Sequence, residues 1–321
     1  MRVVLQKLGY VVLMLCIISL ISFGAIHLAP NSFFASGELN PNITPEALEQ
    51  LKHVYGLDQS LSMQFFAWLK AILQLDFGIS FASGKTVRTE ILQRLPITLL
   101  MNVISMVFVF FLSIYFGIKS AMKQSLTYDK SIKQVALISY AMPSFYLSLL
   151  LVLFFAVQWK IFPISGLHSN DIAQGSYRYI IDMAWHLVLP IFVMVFGGLG
   201  SLTLYVRSLT LNILKSDYIF FAKSRGIEGK ALLIRFILPN LSPPIITILG
   251  LSLPGLIGGS VILESIFAIN GMGLLFYQSA LSRDYPVIMG ILIISSFLTL
   301  LGNMIADLVL SKLNPHFKRR G

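Results

Sequence analysis

Cysteine occurs once in the chain, at Cys16, inside the first apolar run. No internal disulfide and no thiolate metal site can form. Charge is almost as scarce: 12% of the residues are Asp, Glu, Lys or Arg, about half the share of an ordinary soluble domain. The five histidines, His27, His53, His168, His186 and His316, are scattered, with no pair at helical ligand spacing. No His/Asp/Glu or Ser/Lys constellation stands at the ends of the apolar runs, which argues against a membrane enzyme. These absences exclude a disulfide scaffold and a Cys/His metal centre, and water cannot be the only solvent of this chain.

What is present is apolar surface: 56% of 321 residues, with a mean hydropathy of +0.80. A helix of roughly 20 apolar residues crosses the ~30 Å hydrocarbon layer, and only helices or closed barrels satisfy their backbone there. Six runs qualify, at about 8–28, 97–118, 134–157, 186–206, 241–262 and 286–309. They are apolar throughout rather than alternating, which excludes a barrel. The first is longer than a signal-peptide core and lacks a small-x-small cleavage site, so it is expected to be a retained helix. The fold class expected is therefore an all-α membrane protein with about six transmembrane helices.

The net charge of +10 has a nucleic-acid reading, but its distribution points elsewhere. With a cytoplasmic N-terminus, the four inside segments hold sixteen of the 24 basic residues and three acids, Asp129, Asp217 and Glu228. The outside segments hold eight basic and ten acidic residues, and Asp307 falls within the sixth run. This is the positive-inside pattern, with both termini in the cytoplasm. No nucleic-acid partner is expected, and the bilayer accounts for the excess.

The outside segment 29–96 is long. Thr44-Pro45-Glu46-Ala47 opens one amphipathic helix that Gly56 stops, and Met63 to Leu75 forms a second. Both are expected to lie at the membrane interface. Two motifs there fail. Gly84-Lys85-Thr86 resembles the end of a phosphate loop, but Ile79 stands where its first glycine belongs. Asp76-Phe77-Gly78 has no other kinase element around it.

The third inside segment, 207–240, carries the most information. Apolar residues at 218, 219, 222 and at 232, 233, 236, 237 follow helical spacing, with Gly226 between the two patterns. A glycine there ends one helix and permits a sharp turn into the next. The expectation is a pair of short helices in the cytoplasm, suited to a groove on a partner protein or to an anionic lipid surface.

The pattern Tyr218-x-x-x-Ala222-x-x-x-Gly226-Ile227, followed by Ile237-Leu238-Pro239-Asn240, resembles the EAA loop of permease subunits of bacterial ABC importers. The usual Glu is absent, and Phe221 precedes Ala222. Further stretches resemble the dipeptide/oligopeptide/nickel subfamily: Tyr55 to Gln64, Leu75 to Ser80, Met142-Pro143, His186 to Pro190, Glu264 to Gly273, Arg283 to Val287, Asp307 and Asn314-Pro315. His316 stands where a basic residue is usual. The resemblance covers essentially the whole chain.

It implies a type I ABC importer permease fold in the bacterial inner membrane. Residues 1–96 would be the first span and periplasmic loop, 97–315 the permease core with its coupling loop, and 316–321 a basic tail. It also implies a second homologous permease, two ATPase subunits and a periplasmic solute-binding protein as partners. ATP and Mg would be bound by the ATPases and no cofactor by this chain, which would be a non-catalytic subunit with no metal site. Asp217, Tyr218, Ala222, Arg225, Gly226, Ile227, Pro239 and Asn240 would couple to the ATPases. Glu264 and Asp307 are the candidate path or gate residues. Pro190, Pro243, Pro244 and Pro254 permit kinks, and Gly197, Gly198, Gly200, Gly255, Gly258 and Gly259 permit close helix approach. The solute is nickel or short peptides, with Asp76 to Ala82 similar to nickel-type members. A secondary transporter is the rival reading. It would need no ATPase and would show paired acids or interrupted helices at mid-membrane.

Overall fold

The structure, a computed structural model, describes residues 2–28, 59–169, 172, 175–256 and 259–313. The expected helix at Thr44–Gly56 and the tail 316–321 lie outside the described residues. Those described form eleven helices and no strand, with one isolated bridge, Ile79 to Thr86. They are α1 (Arg2–Leu28), α2 (Leu61–Leu73), α3 (Val87–Met122), α4 (Thr127–Ala141), α5 (Ser144–Gln158), α6 (Tyr177–Leu214), α7 (Asp217–Ser224), α8 (Gly229–Ser252), α9 (Val261–Ile266), α10 (Met272–Leu281) and α11 (Tyr285–Leu313).

Contacts divide the chain into two units, residues 1–96 with 271–301, and 97–270 with 302–321. Among the described residues, α3, α6, α8 and residues Tyr285–Met304 of α11 are each long and apolar enough to cross a membrane. Helix α1 adds 27 residues, about 40 Å at 1.5 Å per residue.

Two of the six expected runs take a different form. The run at 134–157 is broken, with α4 and α5 meeting at 100°. Pro143 is the cause: it drives Met142 out of the helical region, to ψ 120°, and cannot donate to the α4 ladder. The pair nevertheless tracks α6 antiparallel and in one direction. Asp129 meets Arg207, the Ser139 hydroxyl donates to the Phe196 carbonyl, and Phe162, just past α5, stacks 4.4 Å from Trp185. A loop that re-entered would meet one level of α6 twice.

The fifth run, expected at 241–262, is displaced. Helix α8 begins at Gly229 and ends at Ser252, followed by a 3-10 turn, Leu253–Leu256. The start is early because a wide turn, Leu233–Ile237, precedes Pro239, with the Leu238 N–H reaching back to the Leu233 carbonyl. That widening accommodates a residue with no N–H to give. The end is early because Pro254 and Gly255 follow, and Gly259 sits at φ +61°.

Within the first unit, Phe23 of α1 packs against Phe65 and Trp68 of α2, with ring centres 5.4 and 5.8 Å apart. No residue of α2 is buried. Val87, Ile91, Met272, Leu275, Val287 and Ile291 form this unit's core. In the second unit one cluster joins Met101, Leu187, Leu189, Val193, Leu263, Phe267 and Ile269, and another joins Phe110, Ile118, Leu202, Val206, Leu241 and Ile245. Gly200 lets α4 reach α6. A Cβ there would meet the Ala136 carbonyl and stand 2.8 Å from the Tyr140 N. Gly197 and Gly255 face open space, so the close approach expected of that glycine set falls on Gly198 and Gly200 among those described.

Candidate functional site: the segment 207–240

Helix α6 ends at Leu214, and two residues later Ser216 starts α7 in an extended conformation. Asp217 opens α7, favourably placed at a helix N-terminus. The helix is two turns long and its two faces differ. Ile219 and Ala222 point inward, with Leu232 and Ile237 of α8, and Ile227 packs on them. Ile219 and Ile237 are fully buried, each contributing about 1.5–3 kcal/mol. On the opposite face Tyr218, Phe220 and Phe221 are 42%, 68% and 64% exposed.

The end of α7 is a Schellman turn. The Ile227 N–H donates to the Ala222 carbonyl at 3.1 Å and the Gly226 N–H to Lys223 at 2.9 Å. Gly226 takes φ +76°, a region closed at low cost to residues with a Cβ. Arg225 is the exposed residue before it. After the turn the chain passes into α8. The expected second short helix is therefore the first part of a long one, because the wide turn carries the helix past Pro239. Pro239 and Asn240 lie exposed on α8, and the Asn240 amide donates to the Phe236 carbonyl at 2.7 Å. Asp217, Tyr218, Ala222, Arg225, Gly226 and Ile227 are thus brought together, and Pro239 and Asn240 stand further along α8.

The residues that fix this segment escaped the sequence argument, which counted Asp129 and Arg207 as topology charges only. Asp129, at the start of α4, is wholly buried. Arg207 of α6 grips both its oxygens, at 2.7 and 2.9 Å. The Ser120 hydroxyl (2.6 Å) and the Ser125 N–H (3.1 Å) also donate to it, and Lys133 lies 3.6 Å away. The clamp joins α3, α4 and α6 ten residues before α7. A signal was available: Asp129 is one of three acids among sixteen bases on its side.

The first unit contains a second structure built on buried carboxylates. Asp284, 1% exposed, caps the turn at 80–82, accepting from the Ser80 hydroxyl (2.5 Å) and the N–H groups of Phe81 (3.1 Å) and Ala82 (3.2 Å). Glu90 accepts from the Ser83 hydroxyl at 2.8 Å and pairs with Arg94. Two stretches that carry the family resemblance, Leu75 to Ser80 and Arg283 to Val287, thus meet through Asp284.

Glu264 lies inside the packed wall of the second unit, 1% exposed, with the Thr98 hydroxyl at 3.2 Å. Asp307 is on α11, in a stretch whose side chains lie outside the described residues.

Comparison with known proteins places this arrangement. Residues 113–319 match the family described as binding-protein-dependent transport system inner membrane component, and residues 1–102 match its N-terminal companion. The chain belongs to this family. It is 36% identical over 302 residues to the oligopeptide transport system permease protein AppB of Bacillus subtilis, covering 94% of each chain. It is 28% identical to the dipeptide transport system permease protein DppB of Escherichia coli, covering 100% of this chain and 99% of that one. Identity to the metal-staphylopine import system permease protein CntB of Staphylococcus aureus is also 28%, over 99% and 98%. The chain is accordingly a multi-pass inner-membrane protein and the pore-forming permease subunit of an ABC importer, not a secondary transporter.

Proposed function

We propose that this subunit moves short peptides from periplasm to cytoplasm by alternating access, driven through α7 by ATPase subunits that bind ATP and Mg. The chain itself carries neither fuel nor cofactor and is non-catalytic. The observation that carries the reading is the shape of α7: an apolar face locked to α8 and an aromatic face left open, on the side where the basic residues collect. Such a face suits an apolar groove on a partner. A push on α7 would pass into α6 and α8, and through the Asp129–Arg207 clamp into α3 and α4. In this reading Asp217, Tyr218, Arg225, Gly226 and Ile227 form the coupling element with Ala222 as its inner contact, and Pro239 and Asn240 belong to the hinge below it. Glu264 and Asp307 are assigned to the path or its gate.

The fold proposed is that of a type I importer permease, with six spans and both termini cytoplasmic. Helix α1 is one span, the α4–α5 pair counts as one, and α3, α6, α8 and α11 are the others. The partners proposed are a second, homologous permease, two ATPases and a periplasmic solute-binding protein. Peptide is favoured over metal because the relative at 36% identity is named for oligopeptide transport. A metal-complex solute is the second reading, motivated by the Asp76 to Ala82 stretch and by the staphylopine permease.

The decisive experiment replaces Phe220 and Phe221 by Ser in the assembled transporter. Solute-stimulated ATP hydrolysis and retention of the ATPases should fall while the protein remains inserted. Unchanged coupled uptake would overturn the assignment. Calorimetry of the cognate binding protein with short peptides and with Ni²⁺ separates the two solutes.

A further inference from the structure

An apolar groove of about 420 Å³ runs along the cytoplasmic half of α3 beside the first turns of α8. Phe111, Ile118 and Met122 line one side, and Leu233 and Leu238 the other. From Phe111 to Met122 it follows α3 for roughly 16 Å, long enough for an extended acyl segment.

One end of the groove is cationic. The Lys119 ammonium, on its lining, donates to the Tyr115 hydroxyl at 2.8 Å and sits 5.0 Å from the Tyr115 ring and 5.1 Å from the Tyr128 ring. The Lys123 ammonium sits 5.3 Å from the same Tyr128 ring. These ring contacts hold both cations in place without neutralising them. The nearby carboxylate, Asp129, is already taken by Arg207 and Lys133. Among the described residues neither Lys119 nor Lys123 has a carboxylate within ion-pairing distance. The Tyr128 hydroxyl is buried and lacks a hydrogen-bond partner.

A trench long enough for one acyl chain, ending beside two preorganised cations, matches an anionic lipid in both parts. We infer that this groove is a binding site for an anionic glycerophospholipid of the cytoplasmic leaflet, its acyl chain along α3 and its phosphate at Lys119 and Lys123. The leaflet rests on the proposed orientation; the site itself does not. A second permease covering the groove is the competing occupant. It would have to bring an apolar ridge and acids of its own to the two lysines.

The test uses the complete transporter in nanodiscs, with native mass spectrometry counting retained phosphatidylglycerol against phosphatidylcholine of the same chains. In a Lys119→Gln/Lys123→Gln variant, apparent affinity for phosphatidylglycerol should fall roughly thirty-fold, from about five-fold per lysine. Phosphatidylcholine should be unaffected, Lys119→Arg/Lys123→Arg should restore retention, and Lys130→Gln should behave as wild type. Leu233→Trp, which fills the groove and leaves both lysines, should lower retention of both lipids. Soluble glycerol phosphate should not compete. Equal phosphatidylglycerol binding by the Gln pair would overturn the inference. So would a disulfide between a cysteine at 233, in a Cys16→Ser background, and the partner permease. Labelling a cysteine at 123 from outside intact cells would refute the orientation alone.

Discussion

Arg207→Met isolates one interaction on which the proposed coupling path depends. In the native protein the Asp129 carboxylate is wholly buried and receives two bonds from Arg207, one from the Ser120 hydroxyl and one from the Ser125 N–H. Methionine fills much the same volume and supplies no charge, which leaves Lys133, at 3.6 Å and 40% exposed, as the sole basic neighbour in ion-pair range. Leaving a buried carboxylate without its main partner costs about 3–5 kcal/mol. The hydroxyl and the amide do not substitute for a bidentate guanidinium. The melting temperature of the purified transporter should therefore drop on the order of 10 °C. The Asp129→Leu/Arg207→Met pair, which removes both charges, should recover most of that loss, because the penalty lies in the unpaired charge. Solute-stimulated ATP hydrolysis should fall further than basal hydrolysis in the single variant, since α3 and α4 lose their tie to the end of α6. A melting temperature within 2 °C of wild type, about what a solvent-screened surface pair would give, would refute the reasoning.

Three further outcomes follow from the same geometry. Gly226→Ala meets no neighbour but must hold φ +76°, at a cost of about 1–2 kcal/mol, and should weaken coupling with little change in membrane insertion, read by stimulated ATPase assay. Gly200→Ala drives a methyl into the backbone of α4 and should destabilise the protein by about 1–3 kcal/mol, whereas Gly197→Ala should be neutral in the same thermal assay. Asp284→Ala removes the acceptor of the Phe81 and Ala82 N–H groups and should expose the 80–86 turn to faster amide exchange, while Asp284→Asn keeps one acceptor and should be milder.

Much of this protein was decided locally, and that part was legible. Length and polarity alone separate membrane helices from everything else, because an unpaired backbone group is intolerable in hydrocarbon. The turn at Gly226 was legible for a similar reason: a left-handed residue between two helical patterns selects glycine. The family emerged from motifs along the whole chain, several of which act by pairing distant residues, as Asp284 does with Ser80.

The tertiary structure decided what depends on partners far apart in sequence. Asp129 and Arg207 are 78 positions apart, and nothing in either neighbourhood says that one carboxylate is buried under the other's guanidinium. The run at 134–157 read as unbroken, and only the packing shows α4 and α5 bent at Pro143 and lying in turn along α6. The second short helix expected after Gly226 is instead continued into α8 by the wide turn before Pro239. A sequence records which residues tolerate lipid, water or a left-handed turn. Which buried charge meets which, and whether a proline stops a helix or is accommodated within it, is settled only when the helices pack.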